Sequence, residues 1–162
     1  VNLARDPHNR LKFKVSDSGR ESRTHYRILC HLKGYTFLGI RLDTGRTHQI
    51  RVHMAHINYP ILGDQLYGGR LAFPKSLDEE SRQMLMKFKR QALHAFRLNF
   101  KHPITDEMIS LTSPIPDDMD SMIIALSNEN LVGAAIPRAP RADFIIPSES
   151  IPHSMFCCSG FP

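Results

Sequence analysis

The chain has 162 residues, of which 41% are hydrophobic, and a net charge of +5 at neutral pH. This length is enough for one domain with a buried core, and no apolar run reaches the roughly 18–20 residues that a membrane-spanning helix needs. The three cysteines lack C-x-x-C spacing, which argues against a disulfide framework or a zinc site and favours a reducing compartment. Because the sequence starts at Val1 with neither an initiator Met nor a signal-peptide pattern, we expect it to continue upstream in a larger protein.

The charge is unevenly distributed along the chain. Residues 1–75 hold 13 basic and 5 acidic residues, a net charge of +8, whereas residues 76–126 hold 6 and 8, a net charge of −2. Residues 127–162 hold 2 and 3, a net charge of −1. A positive first half favours a polyanionic partner such as nucleic acid, although a solvated basic face fits the charge alone equally well.

The first predicted elements are strands. Alternating polarity predicts a strand at residues 12–15, followed by a turn at 16–19. Apolar side chains recur at period two over residues 25–32 and again over 35–42, on either side of Lys33-Gly34. This pattern predicts a β-hairpin, with Cys30 as a small core residue.

Helical spacing begins after the hairpin. Ile50, Met54 and Ile57 recur as one apolar face, so we predict a helix that starts near Thr47 and is capped by Thr44 or Thr47. Residues 58–60 (Asn-Tyr-Pro) end it. Further along, the patterns predict helices at 81–90 and 119–126 and strands at 93–100 and 108–112.

These elements together predict an α+β fold, a mainly antiparallel mixed sheet with short packed helices, over residues 1–126. Residues 127–162 carry five prolines and few charges, and no helical or strand period is sustained there. We interpret them as an extended tail that need not be ordered.

The segment with the most chemical information joins the hairpin to the first helix. Arg46, His48, Gln49 and Arg51 lie in the turn and first helical turn, where backbone N–H groups already favour anions. Guanidinium and imidazole groups added there are typical of a phosphate or carboxylate site. Because Arg51 lies at the edge of the apolar stripe, we expect it to be partly buried and to need an anionic partner.

This segment, residues 44–54 (TGRTHQIRVHM), resembles the third conserved motif of the RluA/RluD family of RNA pseudouridine synthases. Within that family the chain is most similar to the RluD branch, whose members modify large-subunit ribosomal RNA. The resemblance extends over about residues 1–126, and the other matching segments are residues 5–12, 24–26, 60–64, 67–69, 90–95 and 113–119.

The resemblance implies a partial pseudouridine synthase fold and an isomerase reaction. A uridine is flipped out of the RNA stack, an aspartate attacks it, the glycosidic bond breaks, and the turned uracil is rejoined through C5. It implies no metal and no cofactor, and a ribosomal RNA partner. We also expect a monomer and a cytoplasmic location. By motif position Arg51 is similar to the basic active-site residue that pairs with the catalytic aspartate, and we expect RNA contacts from Arg10, Lys12, Arg46, His48 and Gln49.

The chain also departs from the family pattern. The nucleophile motif H-R-L-D-x-x-[ST]-[ST]-G and the active-site tyrosine are absent from these 162 residues. Asp43 stands in a similar context, but Thr44-Gly45 follows it at once, so we interpret it as a local charge partner. We therefore expect the chain to be inactive alone, and the alternative remains a non-catalytic RNA-binding module with the same fold. A phosphate-binding metabolic enzyme is disfavoured because no Walker or Rossmann fingerprint is present.

Two further features have ordinary interpretations. His48, His53 and His56 have spacings of five and three, which do not match a metal-binding helix, so we interpret His53 and His56 as surface or packing residues. Asp64 follows a Pro-Ile-Leu-Gly segment and could line a site, but we predict that it caps a turn.

Overall fold

The computed structural model describes residues 1–69, 73–75 and 77–127, together with the backbone of residues 153–160. The first sheet has three short antiparallel strands: β1 (Asn2–Arg5), β2 (Phe13–Val15) and β3 (Arg20–Glu21), in the order β2-β1-β3. Only β2 was predicted from the sequence, because β1 lacks alternating polarity and β3 has only two residues. The combination of antiparallel sheets with short helices confirms the α+β prediction.

The second sheet has five strands in the order β4-β5-β8-β6-β7. The predicted hairpin is confirmed, because β4 pairs antiparallel with β5 and Leu32 lies opposite Tyr35. Gly34 makes the connection with a φ of 70°, a left-handed conformation that favours glycine. The bounds are β4 (Thr24–Leu32), β5 (Tyr35–Leu42), β6 (Leu93–Lys101), β7 (Met108–Thr112) and β8 (His153–Gly160).

Strand β8 lies between β5 and β6 and is antiparallel to both. It was not predicted, since the interpretation of residues 127–162 as a tail without regular structure found no strand period there. The rest of that interpretation, over residues 128–152, lies outside the described residues.

Three helices pack beside the sheets in the described part of the chain: α1 (Gln49–His56), α2 (Glu79–Lys87) and α3 (Asp117–Leu126). Helix α2 begins two residues earlier than predicted, because the Asp78 side chain accepts a hydrogen bond from the Ser81 amide at 2.8 Å and caps the helix. Helix α1 ends at His56, so Ile57 follows the last helical turn.

The main core forms where β5 meets the helices. Almost every residue of β5 is buried, and Ile50, Met54, Met119 and Met122 pack against it from α1 and α3. Ile57 was predicted to face this core but is 38% exposed, because the helix has already ended there.

Candidate active site

The loop before α1 is closed by the side chain of Gln49. His48 precedes the helix in a left-handed conformation (φ 57°) and provides no side-chain cap. The predicted threonine cap is therefore wrong. Instead, the Thr44 hydroxyl donates to Gln49 Oε1 at 2.8 Å, and the Arg46 amide donates to the same oxygen at 3.0 Å. This arrangement fixes the positions of Arg46 and His48 relative to the helix.

Arg51 forms a bidentate ion pair with Asp64. Its Nε and Nη2 donate to the two carboxylate oxygens at 2.8 Å each, and the side chains of Arg51 and Asp64 are 14% and 0% exposed. Sequence reasoning required an anionic partner for Arg51, and one is present. It expected the carboxylate from a segment outside these residues, however, whereas Asp64 belongs to the Gly-rich loop after α1.

Asp64 has a second role in the same loop. Its Oδ1 accepts hydrogen bonds from the amides of Leu66 and Tyr67 at 3.0 Å each, which confirms the predicted turn cap. Burial by itself would raise the pKa of Asp64, but the bonds from Arg51 and from these amides outweigh it and lower the pKa. The hydrogen bond to Asp64 in turn raises the pKa of Arg51, so both groups remain charged.

Tyr67 connects three segments of the site. Its ring lies 4.9 Å from the Arg51 guanidinium carbon, and its hydroxyl lies 2.9 Å from His48 Nδ1 and 2.8 Å from the Phe13 amide nitrogen. The His48 ring makes edge contacts with the rings of Phe13 and Tyr67. We call Phe13, His48, Arg51, Asp64 and Tyr67 the Tyr67 cluster.

The surroundings of His48 favour its neutral form. Burial lowers its pKa, and the nearby charge of Arg51 lowers it further, against a smaller opposite effect of Asp64. A neutral imidazole has one ring nitrogen that donates and one that accepts.

Of the predicted RNA-binding residues, Arg10 and Lys12 lie between β1 and β2, and Arg46 lies in the loop before α1. Lys12 Nζ is 5.9 Å from the centre of the Tyr67 ring. Arg10 is exposed, and its carbonyl accepts a bond from Arg5, whose guanidinium covers the Phe13 ring at 5.3 Å. Arg46 is exposed, and its Nε donates to the Glu21 carbonyl at 3.3 Å.

Gln49 lies inside the protein. It is 2% exposed, and its amide nitrogen donates to the Arg23 carbonyl and to the Thr24 hydroxyl at 3.0 Å each. Because its amide oxygen is also engaged, this burial argues against the predicted RNA contact of Gln49. The error arose because position in a motif does not reveal which side of the helix is covered.

Asp43 is surrounded by cations. His25 Nε2 donates to its carboxylate at 2.7 Å, and Arg41 and Arg23 lie 3.6 and 3.9 Å away. The hydrogen bond from His25 lowers the pKa of Asp43. This geometry agrees with the prediction of a local charge partner.

His53 is buried, which agrees with the packing alternative of its interpretation as a surface or packing residue. It is 9% exposed, and its two ring nitrogens contact the hydroxyls of Ser22 and Thr24 at 2.9 and 2.8 Å.

Within residues 1–69, 73–75 and 77–127, no group of three or more His, Cys, Asp or Glu side chains is arranged to hold a metal ion. No helix among the described residues is long and apolar enough to span a bilayer.

Sequence reasoning did not identify Tyr67 and Phe13 as site residues, and it preferred a turn role for Asp64. A signal for Asp64 and Tyr67 was available, since both lie in segments of the family resemblance and Arg51 required an anion. Phe13 gave no signal, because its contact with His48 brings together residues that are 35 positions apart.

Comparison with known proteins identifies the same region. Residues 4–56 match the family model described as RNA pseudouridylate synthase. The chain is 48% identical over 128 residues to ribosomal large subunit pseudouridine synthase D of Xylella fastidiosa, and the match covers 79% of this chain and 39% of that protein. The corresponding protein of Vibrio cholerae is 47% identical over 127 residues (78% and 39%), and that of Pasteurella multocida is 52% identical over 124 residues (76% and 38%).

The chain thus spans about two fifths of the length of the curated relatives it matches. The identity covers most of the chain, and the family match contains the motif that places Arg46, His48 and Arg51. The chain therefore belongs to the RNA pseudouridylate synthase family and is similar to its ribosomal large subunit synthase D proteins.

Proposed function

We propose that this chain forms the arginine-bearing side of the active site of an RNA pseudouridine synthase that isomerises uridine in large-subunit ribosomal RNA. The observation that carries the proposal is Arg51, which is held at the edge of the core by Asp64 and lies within the family match. The reaction and the ribosomal substrate are inferred from the similar synthase D proteins.

The geometry of Arg51 supports a catalytic role. Its Nε and Nη2 bind Asp64, while no residue in the described part of the chain is hydrogen bonded to Nη1. A guanidinium has five N–H donors in a fixed plane, so Arg51 can hold Asp64 with one edge and a second anion with the remaining nitrogen. In the proposed enzyme that second anion is the nucleophilic carboxylate, or the charge that develops on the reacting nucleotide.

The residues around Arg51 support a role for the chain in holding RNA. Lys12 lies 5.9 Å from the centre of the Tyr67 ring, Arg10 and Arg46 are exposed, and phosphate contacts from such residues position a nucleic acid without reading its sequence. We propose that the enzyme acts as a monomer in the cytoplasm, without a metal ion.

A chimeric enzyme tests the proposal. In it, the matched region of the Xylella fastidiosa synthase D is replaced by this chain, and pseudouridine formation in ribosomal RNA is measured. We expect the chimera to be active and the chain alone to bind RNA without turnover, because the nucleophile motif is absent from the 162 residues.

Arg51→Ala in the chimera should reduce turnover by more than tenfold beyond any loss of RNA affinity, and Arg97→Ala, a substitution on the second sheet, serves as the matched control. An inactive but folded chimera that still binds RNA would favour the alternative of a non-catalytic RNA-binding module. Equal losses of turnover and affinity for Arg51→Ala would contradict its catalytic role.

A further inference from the structure

We propose that Tyr67 is a positioning residue that holds His48 in a single tautomer and ties the hairpin carrying Lys12 to helix α1. The inference rests on the proposed function for its importance to RNA, but the arrangement itself is a property of the chain. Neither the sequence position of Tyr67 nor the chemistry of its ring alone indicates this positioning role.

The Tyr67 hydroxyl has a single proton to donate. The Phe13 amide donates to the hydroxyl oxygen at 2.8 Å, so this oxygen already accepts one bond. The other contact of the hydroxyl is His48 Nδ1 at 2.9 Å. If Nδ1 carried a proton, the Tyr67 hydrogen would have no acceptor among the described residues, and an unsatisfied half-buried hydroxyl is costly. The hydroxyl therefore donates to Nδ1.

The bond from Tyr67 determines which ring nitrogen of His48 carries the proton. With Nδ1 as an acceptor, neutral His48 carries its proton on Nε2. The side chain then presents one N–H donor from Nε2, which suits a phosphate or carbonyl oxygen and not a cationic partner. His48 has a left-handed backbone conformation at the start of α1. The bond between its Nδ1 and the Tyr67 hydroxyl also fixes the direction of its ring.

Tyr67 also connects β2 to the start of α1. The amide of Phe13 belongs to β2, next to Lys12, whereas His48 and Arg51 belong to the start of α1. Tyr67 contacts all of these segments, and its own amide donates to Asp64, the partner of Arg51. One hydroxyl therefore controls the distance between the basic hairpin and the helix that carries Arg51.

Nuclear magnetic resonance of the 162-residue chain tests this inference without RNA. Two-bond ¹H–¹⁵N spectra distinguish a protonated from an unprotonated ring nitrogen at His48. We expect an unprotonated Nδ1 and a protonated Nε2 in the wild type, and signals averaged between the two tautomers in Tyr67→Phe. Tyr67→Phe keeps the ring over Arg51 and removes only the hydroxyl, and Tyr26→Phe, at an exposed tyrosine, should leave His48 unchanged.

RNA affinity of the same variants provides the second measurement. Without the two hydroxyl bonds, His48 and the segment that carries Lys12 are no longer held in place, so RNA binding should weaken by about tenfold, which corresponds to about 1.4 kcal/mol. A protonated Nδ1 at His48 in the wild type would overturn the inference, and this result does not require that Tyr67→Phe fold. An unchanged tautomer in a folded Tyr67→Phe would also overturn it. A shifted tautomer together with an inactive chimera would contradict the proposed function and leave the role of Tyr67 supported.

Discussion

At the scale of single residues, the pair Arg51–Asp64 determines the properties of the site. A buried carboxylate is unfavourable unless it is paired and hydrogen bonded, and Asp64 meets both conditions through Arg51 and two backbone amides. The same bonds fix the plane of the Arg51 guanidinium. Function and stability therefore depend on the same contacts.

This pair leads to a prediction about stability. Asp64→Asn should lower the free energy of unfolding by about 3 kcal/mol, because it leaves the Arg51 charge sheltered from water without a counterion. The matched control is Asp118→Asn, which breaks a bidentate pair with Arg90 at 2.6 and 2.8 Å whose side chains are 40% and 48% exposed. That exposed pair should contribute at most about 1 kcal/mol. Urea denaturation of both variants measures the difference, and equal losses would contradict the importance of burial.

At the scale of elements, a directional chain of hydrogen bonds attaches α1 to the strands beside it. The Ser22 hydroxyl donates to the Val1 carbonyl at 2.7 Å, so it accepts from His53 Nε2. His53 Nδ1 then accepts from Thr24, which accepts from Gln49. These bonds fix the side of α1 opposite Arg51 to the start of β4.

A pH prediction follows from this network. Burial lowers the pKa of His53 to about 4, and the charges of the amino terminus and His56 act in the same direction. Because the folded pKa lies below the unfolded value of 6.5, unfolding takes up a proton between these values. The stability that neutral His53 contributes is therefore complete above about pH 6.5 and is lost as the pH falls toward 4, by at most about 3 kcal/mol.

His53→Gln tests the assignment. The free energy of unfolding of this variant should depend less on pH between 6.5 and 4, by about 1.4 kcal/mol per pH unit at the steepest point. His56→Gln changes an exposed histidine of the same helix and should retain the wild-type slope. Parallel slopes in the two variants would show that another group is responsible.

At the scale of the whole molecule, the charge is segregated. The net charge of +8 on residues 1–75 coincides with the half that contains the Tyr67 cluster, while residues 76–126 carry −2. A concentrated positive field attracts polyanions and makes their binding sensitive to salt. The distribution therefore favours RNA binding on the face of the first sheet and α1.

Salt dependence provides the test at this scale. Arg10→Gln, Lys12→Gln and Arg46→Gln should each weaken RNA binding and reduce the slope of log K against log salt by about 0.7–0.9 for one lost phosphate contact. Lys101→Gln, in the acidic half of the chain, removes the same charge at a side chain that pairs with Asp106 and should leave the slope unchanged. A slope unaffected by the first three substitutions would exclude them as phosphate contacts.

Much of the fold could be predicted from local pattern. The hairpin of β4 and β5 and the helices α1, α2 and α3 have strong periods, and all were found, although the ends of α1 and α2 differ from the prediction. The short strands β1 and β3 and the backbone strand β8 were missed, because their pairing depends on distant partners and leaves little local signal. Tyr26 and Ile28 also share the period of the hairpin, yet they are 55% and 53% exposed since they lie on the edge strand β4.

By itself, the sequence determined the α+β class, the basic first half, and the requirement that Arg51 have an anionic partner. These follow from periodicity, from charge and from the cost of burying a guanidinium, which are local properties. Only the tertiary structure decided that Asp64 is that partner, that Gln49 faces inward, and that Tyr67 joins His48 to Phe13. Such contacts connect residues 13 to 54 positions apart, and their geometry depends on how the chain folds back on itself.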